Sequence, residues 1–145
     1  MAQDNTIDYY LKSAWQSVVN AYNQEASKFE ITQTFGYVMI NIKKEGTAVS
    51  QIANLLGVRS TSLSRVLSSM EKQGFIYRKA DPVDKRSVKV YLTELGLEKR
   101  TAAKQIVKDF NGYLEEHFTE SERKRLAEAL QKINKLAQQY ALENK

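Results

Sequence analysis

The sequence predicts a mainly α fold carrying one small β-hairpin, and three observations predict it. Apolar residues recur three or four apart through most of the 145 residues, the repeat of amphipathic helices. A single segment, Val88, Val90 and Leu92 alternating with Lys89 and Tyr91, follows the period of two expected of a half-buried strand. The only proline, Pro82, falls in the polar run DPVDKRS between that strand and FIYRKA, where its fixed φ and missing N–H cost nothing.

The elements follow in order. Ile7, Leu11, Trp15, Val18, Tyr22, Ala26 and Phe29 define a first helix over Ile7–Phe29, with Asn5 or Thr6 as its cap. A second helix runs roughly from Thr32 to Lys44, with Phe35, Val38, Met39 and Ile42 inward and Gly46 as its stop. Two short helices fit Val49–Leu56 and Ser60–Gln73, closed by Gly57 and Gly74. After the hairpin, Thr93 caps a long helix to about His117. Its Gly96 and Gly112 each lower helix propensity by ~1 kcal/mol relative to Ala, and Gly112 marks a bend or a close helix crossing. Thr119-Glu120-Ser121-Glu122 matches a capping box, and Leu126, Leu130, Ile133, Leu136 or Ala137, and Tyr140 form the apolar stripe of the last helix. The two terminal helices carry wide apolar faces that suit a partner subunit.

Composition excludes several functions. Without Cys there are no disulfides, thiolate nucleophiles or Cys-ligated metals. With one His there is no His cluster, no glycine-rich phosphate loop accompanies it, and no base–nucleophile pair is in view, so neither an enzyme nor a metal or cofactor site is expected. His117, beside Glu115 and Glu116, reads as a solvated residue near a helix end. No apolar run approaches the ~18–20 residues of a membrane span, and the start MAQDNTIDYY lacks the pattern of a signal peptide. The expected location is cytoplasmic, with no membrane partner.

The net charge of +5 has an address. Arg59, Arg65, Lys72, Arg78, Lys79, Lys85, Arg86 and Lys89 stand against Glu71, Asp81 and Asp84 between Ala48 and Leu92. That stretch therefore carries the whole excess, and the remaining 14 basic and 14 acidic residues balance. Such a segment is either a polyanion-binding surface or a solvated charged face.

Spacing favours the first. VSQIANLLGVRSTSLSRV fits a helix-turn-helix, with small Ala53 at the crossing, Gly57 in the turn, and Ile52, Leu56, Val58, Leu63 and Val66 at the packing positions. The second helix then offers Arg59, Ser60, Thr61, Ser62, Ser64 and Arg65 to a major groove, although whichever of Ser60 and Thr61 comes first serves as the helix cap. An Arg there can fork onto a guanine or onto a phosphate, and both remain open. The hairpin tip supplies a wing. Asp84 and Arg86, two apart, share a face on which the carboxylate orients the guanidinium toward a minor groove, while Lys85 faces a phosphate.

These segments resemble the multiple-antibiotic-resistance regulator (MarR) family. The likeness is carried by VSQIANLLGV, by MEKQGFIYR and by DPVDKRSVKVYLTELG, with Gly74, Arg78, Asp81, Asp84, Lys85, Arg86, Leu92, Thr93 and Gly96 most alike. The resemblance implies a winged helix-turn-helix with N- and C-terminal dimerisation helices. Residues 1–31 would form the N-terminal dimerisation helix, 32–92 the DNA-binding segment and 93–145 the C-terminal dimerising helices. It implies a homodimer on double-stranded DNA at a pseudo-palindromic operator, generally a repressor, with Arg86 in the minor groove held by Asp84, and Thr61, Ser62 and Arg65 at the major groove. It also implies an effector, often a small aromatic or amphipathic anion. Trp15, Tyr22, Tyr37 and Phe110 are the pocket candidates, because a pocket needs apolar walls with a few polar tips. The competing reading is a non-specific architectural DNA-binding protein of the same fold.

Overall fold

The structure, a computed structural model, describes residues 6–145; Asn5 lies outside the described residues. Among the described residues six α-helices and three short strands follow one another: α1 (Ile7–Ala26), α2 (Gln33–Ile40), β1 (Thr47–Ala48), α3 (Val49–Leu56), α4 (Ser60–Lys72), β2 (Ile76–Ala80), β3 (Val88–Leu92), α5 (Glu94–Glu116) and α6 (Glu120–Glu143). Two compact units divide the chain, Met1–Val107 and Lys108–Lys145. The N-terminal helix thus shares a unit with the segments that follow it.

The core of the first unit joins Val38 and Met39 of α2, Ile42, Ile52 of α3, Leu63, Leu67 and Met70 of α4, Ile76 of β2 and Val90 of β3, all essentially inaccessible. Those positions are the inward faces that the 3.6- and 2.0-residue periods select. The strands form an antiparallel sheet of order β1-β3-β2, with Thr47 opposite Val90, and Ile76 opposite Leu92.

Several boundaries differ from the sequence expectation, each for a local reason. The first helix ends at Ala26, and Ser27–Phe29 continue as one 3-10 turn. Helix α2 stops at Ile40, four residues before Lys44, because Asn41 closes it and its side-chain amide donates to the Tyr37 carbonyl at 2.8 Å. Gly46 is therefore no helix stop. At φ +90° it brings the backbone against the Tyr91 ring as the chain enters β1, a strand too short to show a period. Helix α4 begins at Ser60 with Arg59 as its N-cap, so neither Ser60 nor Thr61 caps it. Gly57, at φ +66°, makes the turn between α3 and α4 as its spacing predicts.

At the start of α5, the Thr93 hydroxyl donates to the Gly74 carbonyl at 2.5 Å and accepts from the Gly96 N–H at 3.0 Å. This ties the end of the hairpin to the end of α4. Gly96 is required there because a Cβ would sit 2.0 Å from the Phe75 carbonyl oxygen. Gly112, by contrast, has open space around it among the described residues, and α5 runs through it. In the second unit, Thr119 and Glu122 close the expected capping box at 3.1 and 2.9 Å. Helix α6 buries none of its residues, leaving Leu126, Leu130, Leu136, Tyr140 and Leu142 exposed.

Candidate nucleic-acid interface

The interface is built on the α3–turn–α4 pair. Ile52 and Ala53 from α3 pack on Leu63 and Leu67 from α4, and the Val58 N–H donates to the Ala53 carbonyl at 3.2 Å, closing the turn. With its apolar stripe buried, α4 turns Arg59, Ser60, Thr61, Ser62, Ser64 and Arg65 to solvent, every one exposed.

The hairpin stands beside this helix. A groove of about 520 Å³ separates them, lined by Ser50 of α3, Ser60, Ser64 and Leu67 of α4, and Arg78, Asp84, Arg86, Ser87 and Val88 of the hairpin. Ser60 and Ser64 are four apart, hence one above the other on the helix face that looks at the wing. Ser62 lies elsewhere. It lines a separate cavity of about 380 Å³ with Trp15, Gln33, Tyr37, Leu63 and Val66. Arg59, Thr61, Arg65 and Lys85 line neither. The candidate residues thus fall into separate groups around one helix.

The wing is held by carboxylates. Asp81 Oδ1 accepts the N–H groups of Val83 at 2.8 Å and Asp84 at 3.3 Å, an Asx turn across Pro82. Its Oδ2 lies 3.7 Å from the Lys89 ammonium. The Val83 and Asp84 N–H groups, more than Lys89, hold the Asp81 carboxyl below its ordinary value. Asp84 then accepts the main-chain N–H of Arg86 at 3.1 Å. It orients Arg86 through the backbone, and among the described residues no carboxylate is within ion-pair distance of the Arg86 guanidinium.

One clamp was not expected from spacing. Glu71 near the end of α4 accepts the Arg78 main-chain N–H at 3.2 Å and its guanidinium at 3.1 Å, and the same guanidinium reaches the Ser68 hydroxyl at 3.3 Å. The Arg78 side-chain bond holds the Glu71 carboxyl below its ordinary value. The two are seven positions apart across a tight turn, so neither helical nor strand periodicity connects them. Ser50 and Ser87 were also missed, because an isolated serine carries no periodic signal. Of the eight basic residues, Arg78 and Lys89 are thus occupied within the lobe.

The MarR family model matches residues 32–88, the stretch that runs from α2 through the wing turn to the start of β3. An HTH-type transcriptional regulator from Bacillus subtilis (strain 168), YdcH, is 34% identical over 104 residues, spanning 68% of this chain and 71% of that protein. The chain belongs to the MarR family. Solved structures share the fold. A MepR–DNA complex from S. aureus superposes with a TM-score of 0.84 at 22% identity, covering 91% of this chain and 98% of that one. A mutant MarR from E. coli complexed with operator DNA gives 0.80 at 25% identity, over 88% and 92%. This MarR-family protein is accordingly a transcriptional regulator of winged helix-turn-helix fold and not an enzyme. Among its described residues no helix is long and apolar enough to cross a membrane.

The MarR-family chain also contains a cavity of about 230 Å³, walled by α1, α2 and α5 within the first unit. Trp15, Tyr22 and Tyr37 line it, together with Thr32, Gln33 and Ile106. Phe110 does not line it. The cavity walls end at Val107, and Phe110 belongs to the second unit, so an aromatic residue on the same helix falls outside the site.

Proposed function

We propose that this regulator is a homodimer that binds a pseudo-palindromic operator, generally as a repressor, and releases it when a small molecule enters the α1–α2–α5 cavity. The observation that carries the DNA-binding reading is the groove in which Ser60 and Ser64 of α4 meet Asp84 and Arg86 of the wing. In this reading α4 enters the major groove with Arg59, Ser60, Thr61, Ser64 and Arg65 toward bases and phosphates, Ser62 stays on the cavity side, and Arg86 enters the adjoining minor groove. Lys85 meets a phosphate.

The dimer reading is supported by apolar side chains left on the terminal helices: Ile7 at 67% exposure and Tyr10 at 58% on α1, Tyr140 at 69% and Leu142 at 72% on α6. The ligand reading is supported by shared walls. Trp15, Gln33 and Tyr37 line both the 230 Å³ cavity and the 380 Å³ cavity against Ser62, Leu63 and Val66 of α4. A ligand that moves those three residues moves the back of the recognition helix. The two recognition helices must sit ~34–36 Å apart to meet successive major grooves, so a small displacement unseats the dimer.

The test is a fluorescence-anisotropy titration of the full chain against its operator, selected from random duplexes, and against a scrambled duplex of equal length. The operator should bind at least about 10³-fold tighter at physiological salt. Equal affinity for both duplexes would establish the architectural alternative instead.

A further inference from the structure

We infer that Val83 is a specificity residue of the wing: its isopropyl group packs on the floor of the minor groove beside Arg86 and excludes guanine from the base pair it covers. The inference rests on the reading that the wing enters a minor groove, and adds to it which base pair the wing selects.

Three observations carry it. Val83 is 94% exposed, whereas no other large apolar residue among the described ones exceeds the 72% of Leu142. Its backbone is nevertheless fixed. Asp81 Oδ1 accepts the Val83 N–H at 2.8 Å, the Asp81 N–H donates to the Ser87 carbonyl at 2.9 Å, and the Ser87 N–H donates to the Asp84 carbonyl at 3.0 Å. A β-branched side chain on a tied turn has little freedom left to lose on binding. Lastly, Val83 lies outside the α4–wing groove, whose wing wall is Arg78, Asp84, Arg86, Ser87 and Val88. It sits in the middle of the turn, between Pro82 and the charged run Asp84-Lys85-Arg86. Apolar side chains so presented are the ones that proteins press into minor grooves.

The chemistry of the groove floor sets the preference. An A·T pair in either orientation shows the acceptors adenine N3 and thymine O2, with an apolar C–H edge between them, whereas a G·C pair places the guanine 2-amino group there. The isopropyl group packs on the apolar edge while the Arg86 guanidinium donates to the acceptors. Against guanine, the amine meets an isopropyl group that offers no acceptor, and it loses its water.

The experiment titrates the full chain, by fluorescence anisotropy, against the operator selected from random duplexes. Each base pair covered by the wing, located by hydroxyl-radical footprinting, is made in turn A·T, G·C or inosine·C. Inosine is guanine without the 2-amino group. At one such pair, G·C should bind at least about fivefold more weakly than A·T, and inosine·C within about twofold of A·T. Val83→Ser, whose hydroxyl accepts from the amine, should cut the G·C penalty to less than about half of the parent's. It should leave the melting temperature and the salt slope as they are, since it removes no charge and no main-chain bond. Inosine·C binding as weakly as G·C overturns the inference. So does a penalty that stays above half in Val83→Ser, which assigns the selection to Arg86. A parent chain with no preference for operator over scrambled duplex sinks the regulator reading as well, whereas intact operator preference with an unmoved penalty sinks only the role of Val83.

Discussion

The Glu71 carboxylate grips Arg78 twice, at the main-chain N–H and at the guanidinium, and so fastens the first strand of the wing hairpin to the last turn of α4. Two elements that the proposed mode of binding places in neighbouring grooves of one duplex are thereby tied to each other. Glu71→Gln should leave the protein folded while lowering operator affinity several-fold, because the hairpin gains freedom that binding must then remove. Anisotropy with parallel thermal melts checks this. An unchanged operator affinity would show that the clamp does not position the wing.

Arg86 has its backbone fixed by Asp84 and its guanidinium unclaimed by any carboxylate among the described residues. Arg86→Ala is expected to weaken operator binding by roughly 1–3 kcal/mol and to reduce the salt slope by about one, with the melting temperature unchanged. Identical salt titrations for variant and parent would remove the wing from the mechanism.

Two glycines should respond unequally to alanine. Gly57 has a φ of +66° and nothing within 4 Å of an added Cβ, so Gly57→Ala should cost only the backbone strain, about 1 kcal/mol. At Gly96 the helix favours alanine, but the new Cβ would lie 2.0 Å from the Phe75 carbonyl oxygen. Gly96→Ala should therefore destabilise by more than about 2 kcal/mol despite its better helix propensity. Calorimetric melts that rank the two variants the other way would contradict the close crossing of α5 over the hairpin end.

Acid should loosen three anchors together. Glu71 is lowered from an ordinary value of 4.5 chiefly by Arg78, Asp81 from 3.8 by the Val83 and Asp84 N–H groups, and Glu122 from 4.5 by the Thr119 N–H. A carboxyl depressed in the folded state contributes stability above its unfolded value, and that contribution is lost as pH falls through the folded value. The melting temperature should be flat from about pH 6 to 8 and should drop below about pH 4.5. A drop beginning near neutrality would point to another titrating group.

Removal of α6 should change the oligomeric state. The helix presents its apolar stripe to solvent and buries none of its residues, so the full chain is expected to scatter light as a dimer. Truncation after His117 should give monomer with weaker operator binding. A well-folded monomeric full chain would sink the dimer. Within α6, Thr119→Ala should cost about 1 kcal/mol by opening the capping box.

Much of the fold was legible because it depends on near neighbours in sequence. Helix α3 starts and stops where its apolar spacing and Gly57 put it, and α4, the hairpin and the Thr119–Glu122 box fall within a residue or so of their expected places. Helix α2 was less legible. Its pattern continues through Ile42, but Asn41 ends the helix, and Ile42 is buried from the turn instead. Among the site residues, spacing identified the exposed face of α4 and the charged wing tip but not how they group.

What the sequence determined alone is therefore the set of elements, the lobe that carries the excess charge, and the absence of cysteine chemistry. Each follows from composition or from a period of two to four residues. Tertiary structure decided the rest. It paired Thr47 with Val90 to make a third strand, set Glu71 on Arg78, put Ser64 in the wing groove and Ser62 on the opposite cavity, and assembled Trp15, Tyr37 and Ile106 into one neutral pocket while leaving Phe110 out. These relations join residues that turns or many intervening positions separate. Their geometry is set by how a helix rotates and a strand registers once the core is packed, which no local period encodes.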